Sequence, residues 1–277
     1  VDGDGICDEF ETAGCIDAMA CNYDATATDD DGSCTFDDCA GSYTLTVEEY
    51  AVDIVPGQTT YRMYVDLVNP DDFVSSVFGN DVDELSLETE NGFYNDPMGA
   101  SVATGINPAF IAFFPTIGAD SWITIGLDSQ NVGDQVAVST VEDAEQPFVP
   151  AFASGSAIDG QNIVINTSTG GAWFVLNGTP NGLPDENGRV LILQLTTSGG
   201  LSGVLPVQVF ENGNGANDMR FTFEFDGPGT FGEVVSSNGG CTDSSACNYD
   251  ADATEDDGSC TYADAGYDCD GACLNDA

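Results

Sequence analysis

Histidine and lysine are absent from this 277-residue chain, and arginine occurs three times, as Arg62, Arg189 and Arg220, against 48 acidic residues. Without His there is no Ser-His-Asp triad, no Cys-His pair and no His-ligated zinc. Without Lys there is no Schiff-base or P-loop chemistry. Catalysis would have to rest on carboxylates, Tyr, Arg or a metal. A formal net charge of −45 repels phosphate backbones and anionic lipid, which argues against nucleic-acid partners and membrane-surface binding. It favours cations, and it suits a salty medium in which self-repulsion is screened within about 10 Å or less. No apolar run is long enough to span a membrane, and no signal peptide is recognisable, so the expectation is a chain without membrane insertion whose export signal lies upstream of Val1 or has been removed.

Cysteine is missing from the middle of the chain. All ten lie near the ends, as Cys7, Cys15, Cys21, Cys34 and Cys39, then Cys241, Cys247, Cys260, Cys269 and Cys273. These end segments are rich in Gly and Asp and poor in large aliphatics. Such segments build little apolar core and rely on disulfides. Thiolate metal binding is the alternative, but no C-x-x-C pair is present. Disulfides imply an oxidising, extracellular setting. Within the ends a 23-residue cassette is duplicated. Gly14 to Phe36 reads GCIDAMACNYDATATDDDGSCTF and Gly240 to Tyr262 reads GCTDSSACNYDADATEDDGSCTY, identical at seventeen of 23 positions. The organisation expected is therefore an acidic Cys-rich connector at 1–40, a central domain at 41–238 and a second connector at 239–277.

The central segment is dominated by Val, Ile, Leu, Phe and Thr. Tyr61, Met63, Val65 and Leu67 alternate with Arg62, Tyr64 and Asp66, the period of a half-buried strand. Similar runs are Tyr43 to Val47, Glu84 to Glu90, Phe110 to Phe114, Trp122 to Leu127, Gln135 to Val141, Asn162 to Asn166, Trp173 to Leu176, Val190 to Thr196, Val204 to Phe210 and Arg220 to Phe225. Turn pairs such as Pro56-Gly57, Asn91-Gly92, Asn187-Gly188 and Asn212-Gly213 separate them. These runs predict an all-β domain, a β-sandwich of jelly-roll-like type, with a closed barrel as the alternative. One minor helix is expected at 69–78, with Asn69 as cap, Pro70 in the first turn and Phe73, Val74 and Val77 as the apolar stripe.

Two motifs point to calcium. In the run Val1 to Glu11, Asp2 and Asp4 fit the third and fifth positions of a D-x-D-x-D-G loop, with Gly5 at the sixth, Ile6 at the seventh, Asp8 at the ninth and Glu11 at the twelfth. Calcium takes six to eight oxygens at about 2.3–2.6 Å, which alternating Asp on a tight Gly-containing turn supplies. The first-position Asp falls before Val1. A related run carries Asp268, Asp270 and Asp276, and joining Ala277 to Val1 nearly regenerates a continuous motif. Each end holds an odd number of Cys, so the expectation is one period of a longer array, with Cys7 paired to a cysteine like Cys269 or Cys273 of the preceding unit. Asp30-Asp31-Gly32-Ser33 and Asp256-Asp257-Gly258-Ser259 read as turns in which Asp bonds nearby backbone.

The cassette is similar to the GCTDPxACNYDPxATxxDGSC repeats of large secreted and surface proteins of marine bacteria, with Ala25 and Ala251 in place of the usual Pro, and Val1 to Glu11 resembles thrombospondin type 3 acidic repeats. The resemblance covers about a quarter of the chain and implies extracellular display at a cell surface in tandem modules. It leaves the central domain unassigned. The function expected is a non-enzymatic structural or adhesive module that assembles end to end with copies of itself or adjacent repeat units into a fibre or matrix, with calcium as cofactor. The alternative is polysaccharide binding on aromatic platforms, Trp122 and Trp173 foremost. A carboxylate-based glycoside hydrolase is a third reading.

Overall fold

The computed structural model describes residues 43–234 continuously and, beyond them, 13–14, 29–30, 239–241, 243–248, 255–256, 259–263 and 269. The chain divides into two compact units, Val1–Glu233 and Val234–Ala277.

Twelve strands lie in the continuous span: β1 (Thr44–Val52), β2 (Thr59–Asp66), β3 (Phe73–Gly79), β4 (Leu85–Thr89), β5 (Trp122–Ile123), β6 (Ser139–Val141), β7 (Ile163–Ile165), β8 (Gly171–Phe174), β9 (Arg189–Thr197), β10 (Leu201–Phe210), β11 (Asp218–Asp226) and β12 (Gly229–Gly232). They form two antiparallel sheets. One has five strands in the order β12-β1-β2-β9-β5. The other has seven, in the order β6-β8-β3-β10-β4-β7, with β11 on the opposite edge of β10. One core joins them. Leu45, Met63, Val65 and Leu193 of the first sheet pack with Val77, Leu87, Leu205, Val207 and Phe223 of the second, all at 2 % exposure or less. This is the all-β sandwich that period-two alternation predicts, with two separate sheets and no closed barrel.

Turn chemistry fits the geometry. Asn212 and Gly213 both take positive φ, at 50° and 67°, where β10 turns back into β11. That end is tied by buried Asp72, which accepts from the Tyr43 hydroxyl at 2.9 Å and from the Asn69 and Asn212 amides at 2.8 Å each. Burial, and then the bond to Asp72, push the Tyr43 phenol well above its ordinary range.

Three expectations fail in whole or in part. Residues 69–78 form no helix: Phe73–Gly79 is β3, held between β8 and β10. Phe73 through Val77 are all buried, so the run has no polar helical face, and β-branched Val74 and Val77 suit a central strand. Asn69 and Pro70 make a turn instead, closed by Asp72 N–H to Asn69 O at 3.1 Å. Conversely, 110–114 is no strand. Asn107 accepts from the Ala109 amide and Pro108 opens a short helix, α1 (Pro108–Ile111), followed by a 3-10 turn at Pro115–Ala119. The strand expected over 122–127 stops at Ile123. Gly126, at φ 70°, turns the chain against the Asn181 carbonyl, where a Cβ would lie 1.8 Å from the oxygen.

Candidate functional site

On β2, Thr60, Arg62, Tyr64 and Asp66 face away from the core that Met63 and Val65 enter. On β9, Arg189 and Leu191 lie opposite Asp66 and Tyr64, and Gln194 and Thr196 lie opposite Arg62 and Thr60. In a regular strand Arg189 and Gln194, five residues apart, would sit on opposite faces. The irregularity between Leu191 and Leu193 adds one residue, Ile192, and returns both to the outer face. A matching irregularity in β1 lies between Glu49 and Ala51, at Tyr50.

The connection from β4 to β5 covers part of this face. Ala103, Ile106, Ile117 and Trp122 pack with Tyr64 and Leu191 into a second, smaller apolar cluster. Polar bonds hold the cover down. Gln194 donates to the Asp120 carbonyl at 2.7 Å and the Gly118 carbonyl at 3.2 Å, while its own carbonyl accepts from Arg62 Nε at 2.9 Å. Asp120, 1 % exposed, accepts from the Asp96 amide through Oδ1 and the Ala100 amide through Oδ2, each at 2.7 Å. Burial pushes its carboxyl up to about 7 against the pull of those amides. Gly99 is required here, since a Cβ would sit 2.1 Å from Asp120 Oδ2.

What remains open is a groove of about 560 Å³. Tyr64 and Leu191 lie among its lining, with Arg62, Arg189, Asp128, Ser129, Gln130, Gln135, Asn181 and Asp185. Asn181 fixes one wall by donating to the Ile125 carbonyl at 2.7 Å and accepting from the Val136 amide at 3.1 Å. Two of the three arginines of the chain converge here. The Arg62 guanidinium lies 3.7 Å from the Tyr50 ring centre and that of Arg189 lies 3.8 Å from Tyr64. Their carboxylate contacts are uneven: Arg189 Nη1 is 3.0 Å from Glu48, but Arg62 Nη1 is 3.5 Å from Asp128 and Arg189 Nε is 3.9 Å from Asp185. Glu48 Oε2, the oxygen that faces Arg189 Nη1, is buried in an ion pair without hydrogen-bond alignment, and Arg189 Nε is buried without a hydrogen-bond partner among the described residues. Burial raises the Tyr64 phenol, and the two arginines oppose that shift.

Beside the groove, and sharing Arg62, Asp128 and Ser129 with it, lies an apolar hollow of about 300 Å³ against Tyr50, Ile54, Ile106, Ile111, Ile117 and Trp122. Next along the chain, Phe110, Phe113 and Phe114 stand 49 %, 77 % and 47 % exposed. No charge occurs from Thr104 to Ala119.

The aromatic platforms expected from the sequence are buried. Trp122 is 1 % exposed and Trp173 is fully buried, with its indole N–H on the Ile192 carbonyl at 3.2 Å and its ring against Phe148. Neither offers a face to a sugar, because each fills an apolar cluster that a sandwich of this size needs. Arg62 and Arg189 carry no site motif in the sequence. Arginine scarcity was the signal available, but the bulge that brings them onto one face leaves no mark in the hydrophobic pattern.

In the second unit Cys241 pairs with Cys260 and Cys247 with Cys269. Asp243 accepts from Ser245 N–H and from the Tyr262 hydroxyl at 2.8 Å each, and Asn248 bridges to Ser259 and Thr261. Cys269, one of the two positions expected to supply the link to another unit, is thus used locally. The calcium-loop positions Asp2, Asp4, Ile6, Asp8, Glu11, Asp268, Asp270 and Asp276 lie outside the described residues, as do Cys7, Cys15, Cys21, Cys34, Cys39 and Cys273. Among the described residues no helix is long and apolar enough to cross a membrane. No protein-family model matches the chain, and comparison with curated proteins and with solved structures gave no match.

Proposed function

We propose that the chain is a non-enzymatic structural and adhesive module of an extracellular repeat protein, joined end to end with its neighbours through connectors stiffened by disulfides and calcium. One observation carries this reading: the cassette at 240–262 is closed by Cys241–Cys260 and tied by Cys247 to Cys269 just beyond it, and its sequence recurs at 14–36, across a cysteine-free sandwich. Cys241 and Ala246 are the buried residues among those described in that unit, so covalent links take the place of a core. The uncharged prominence bearing Phe110, Phe113 and Phe114 supports the adhesive part, because a chain that repels its own copies over most of its surface needs a neutral place of contact.

With Cys269 taken by Cys247, the link between units falls to Cys7 and a cysteine like Cys273. Calcium then neutralises the clustered Asp of the joint and fixes its angle. The test is contour length and melting of the native assembly before and after chelation, with metal removal confirmed, alongside mass spectrometry of non-reduced peptides. Shortening or dispersal on chelation and a Cys7–Cys273-type cross-link are expected. Unchanged length and melting would remove calcium from the account, and free thiols at both positions would remove the covalent joint.

A further inference from the structure

We infer that the groove on the outer face of the five-stranded sheet binds the carboxylate of a uronic-acid residue in an acidic polysaccharide, with Arg62 and Arg189 as its anchors. This site is independent of the end-to-end assembly proposed above. The chain carries three positive side chains, and two of them line this one groove. Both guanidiniums lie against tyrosine rings, 3.7 and 3.8 Å from the ring centres, which limits their freedom before a ligand arrives. A guanidinium has five N–H donors. Arg62 uses Nε on Gln194 and a long 3.5 Å contact to Asp128, and Arg189 holds Glu48 through Nη1 at 3.0 Å while its Nε is buried 3.9 Å from Asp185, so the donors without a close partner are on Nη2 of each. The terminal nitrogens of the two arginines thus retain donors for an incoming carboxylate, which they can clamp together.

The rest of the lining selects the kind of anion. Asp128 and Asp185 stand beside the two arginines with half-exposed carboxylates, and Ser129, Gln130 and Gln135 border the same space. Carboxylates and amides accept from hydroxyls, so a ligand bearing both a carboxylate and several hydroxyls satisfies the whole wall. An Asp-rich peptide brings the same carboxylate to the arginines but reaches Asp128 and Asp185 only through backbone N–H groups, and carries more negative charge per unit of length beside them. The volume of about 560 Å³ accommodates about two sugar rings by the usual size of small-molecule sites. The global charge of −45 opposes approach of any polyanion. That repulsion is long-ranged and is screened as the Debye length falls from about 30 Å at 0.01 M salt to about 8 Å at 0.15 M, whereas contact with the partly buried arginines is screened much less. Affinity therefore rises over that interval of salt, opposite to the usual trend for an anion on a basic surface.

The experiment is titration calorimetry of the full chain with an α-1,4-linked galacturonate hexamer, its carboxyl-reduced galactose counterpart and an oligo-aspartate of equal charge. The uronate hexamer is expected to bind at least about tenfold tighter than the reduced hexamer, and Arg189→Gln to cost about tenfold, while Arg220→Gln, away from the groove, leaves binding unchanged. Arg62→Lys, which keeps the charge and loses the fork, is expected to weaken the uronate as well. Equal affinity for the reduced hexamer would overturn the carboxylate assignment with unaltered protein, whatever the variants do. Tighter capture of oligo-aspartate, lost in Arg189→Gln, would overturn the sugar and make the groove a protein-docking site.

Discussion

Asp120 makes the stability of the sandwich depend on pH in a direction opposite to the usual acid denaturation. Its carboxyl, 1 % exposed and held by the amides of Asp96 and Ala100, sits at about 7 instead of 3.8. The folded state therefore holds the proton more tightly than the unfolded chain. The stabilisation is complete below about 3.8 and is lost as pH rises through about 7. At 1.36 kcal/mol per unit the full loss is about 4 kcal/mol, of which about 3 kcal/mol falls between pH 5 and 8. The measurement is urea unfolding across that interval, kept clear of the pI of about 4.1 and run near 1 M salt, where the Debye length is about 3 Å and the general self-repulsion is screened. Asp120→Asn supplies the reference. Its single amide oxygen serves one of the two backbone donors, a deficit of about 1–3 kcal/mol that does not titrate. The stability advantage of the native chain over Asp120→Asn should shrink by about 3 kcal/mol from pH 5 to 8. An advantage that stays constant over that range would show that the two amides hold the carboxylate ionised throughout, and the burial argument would fail.

Reduction should loosen the second unit and leave the sandwich intact. The disulfides there close separations of 19 and 22 residues, each contributing about 3 kcal/mol in the chain-entropy account, whereas residues 41–239 contain no cysteine. Proteolysis after reduction should cut within 234–277 while the tryptophan-reported unfolding transition of the sandwich keeps its midpoint, and a lowered midpoint would show that the two units stabilise each other. Gly126→Ala should cost about 2–4 kcal/mol by chemical denaturation, because its φ of 70° is compounded by the Asn181 carbonyl 1.8 Å from the new Cβ. Gly133→Ala, at φ 60° in open space, should cost about 1 kcal/mol, and equal costs would mean that the close approach at Asn181 carries no constraint.

The sequence by itself determined the class of fold. Alternation at 61–67, Asn-Gly turn pairs and a cysteine-free middle are local signals, and local chemistry suffices to read them. It also identified the cassette as a disulfide unit, since density of Cys without apolar mass admits little else. Tertiary structure decided the remainder. Phe73–Gly79 is a strand because two neighbours pair with both its edges and both its faces are buried, and Phe110–Phe114 departs from strand because no neighbour pairs with it and Asn107-Pro108 start a turn of helix. Trp122 and Trp173 became core because the packing needed their volume, which no periodicity announces. The groove depends on register. One extra residue at Ile192 places Arg189 and Gln194 on the face of Arg62 and Tyr64, and a bulge is set by pairing between strands more than a hundred residues apart in sequence. Composition fixed that this chain has three positive charges; only the folded sheet decided that two of them share one groove.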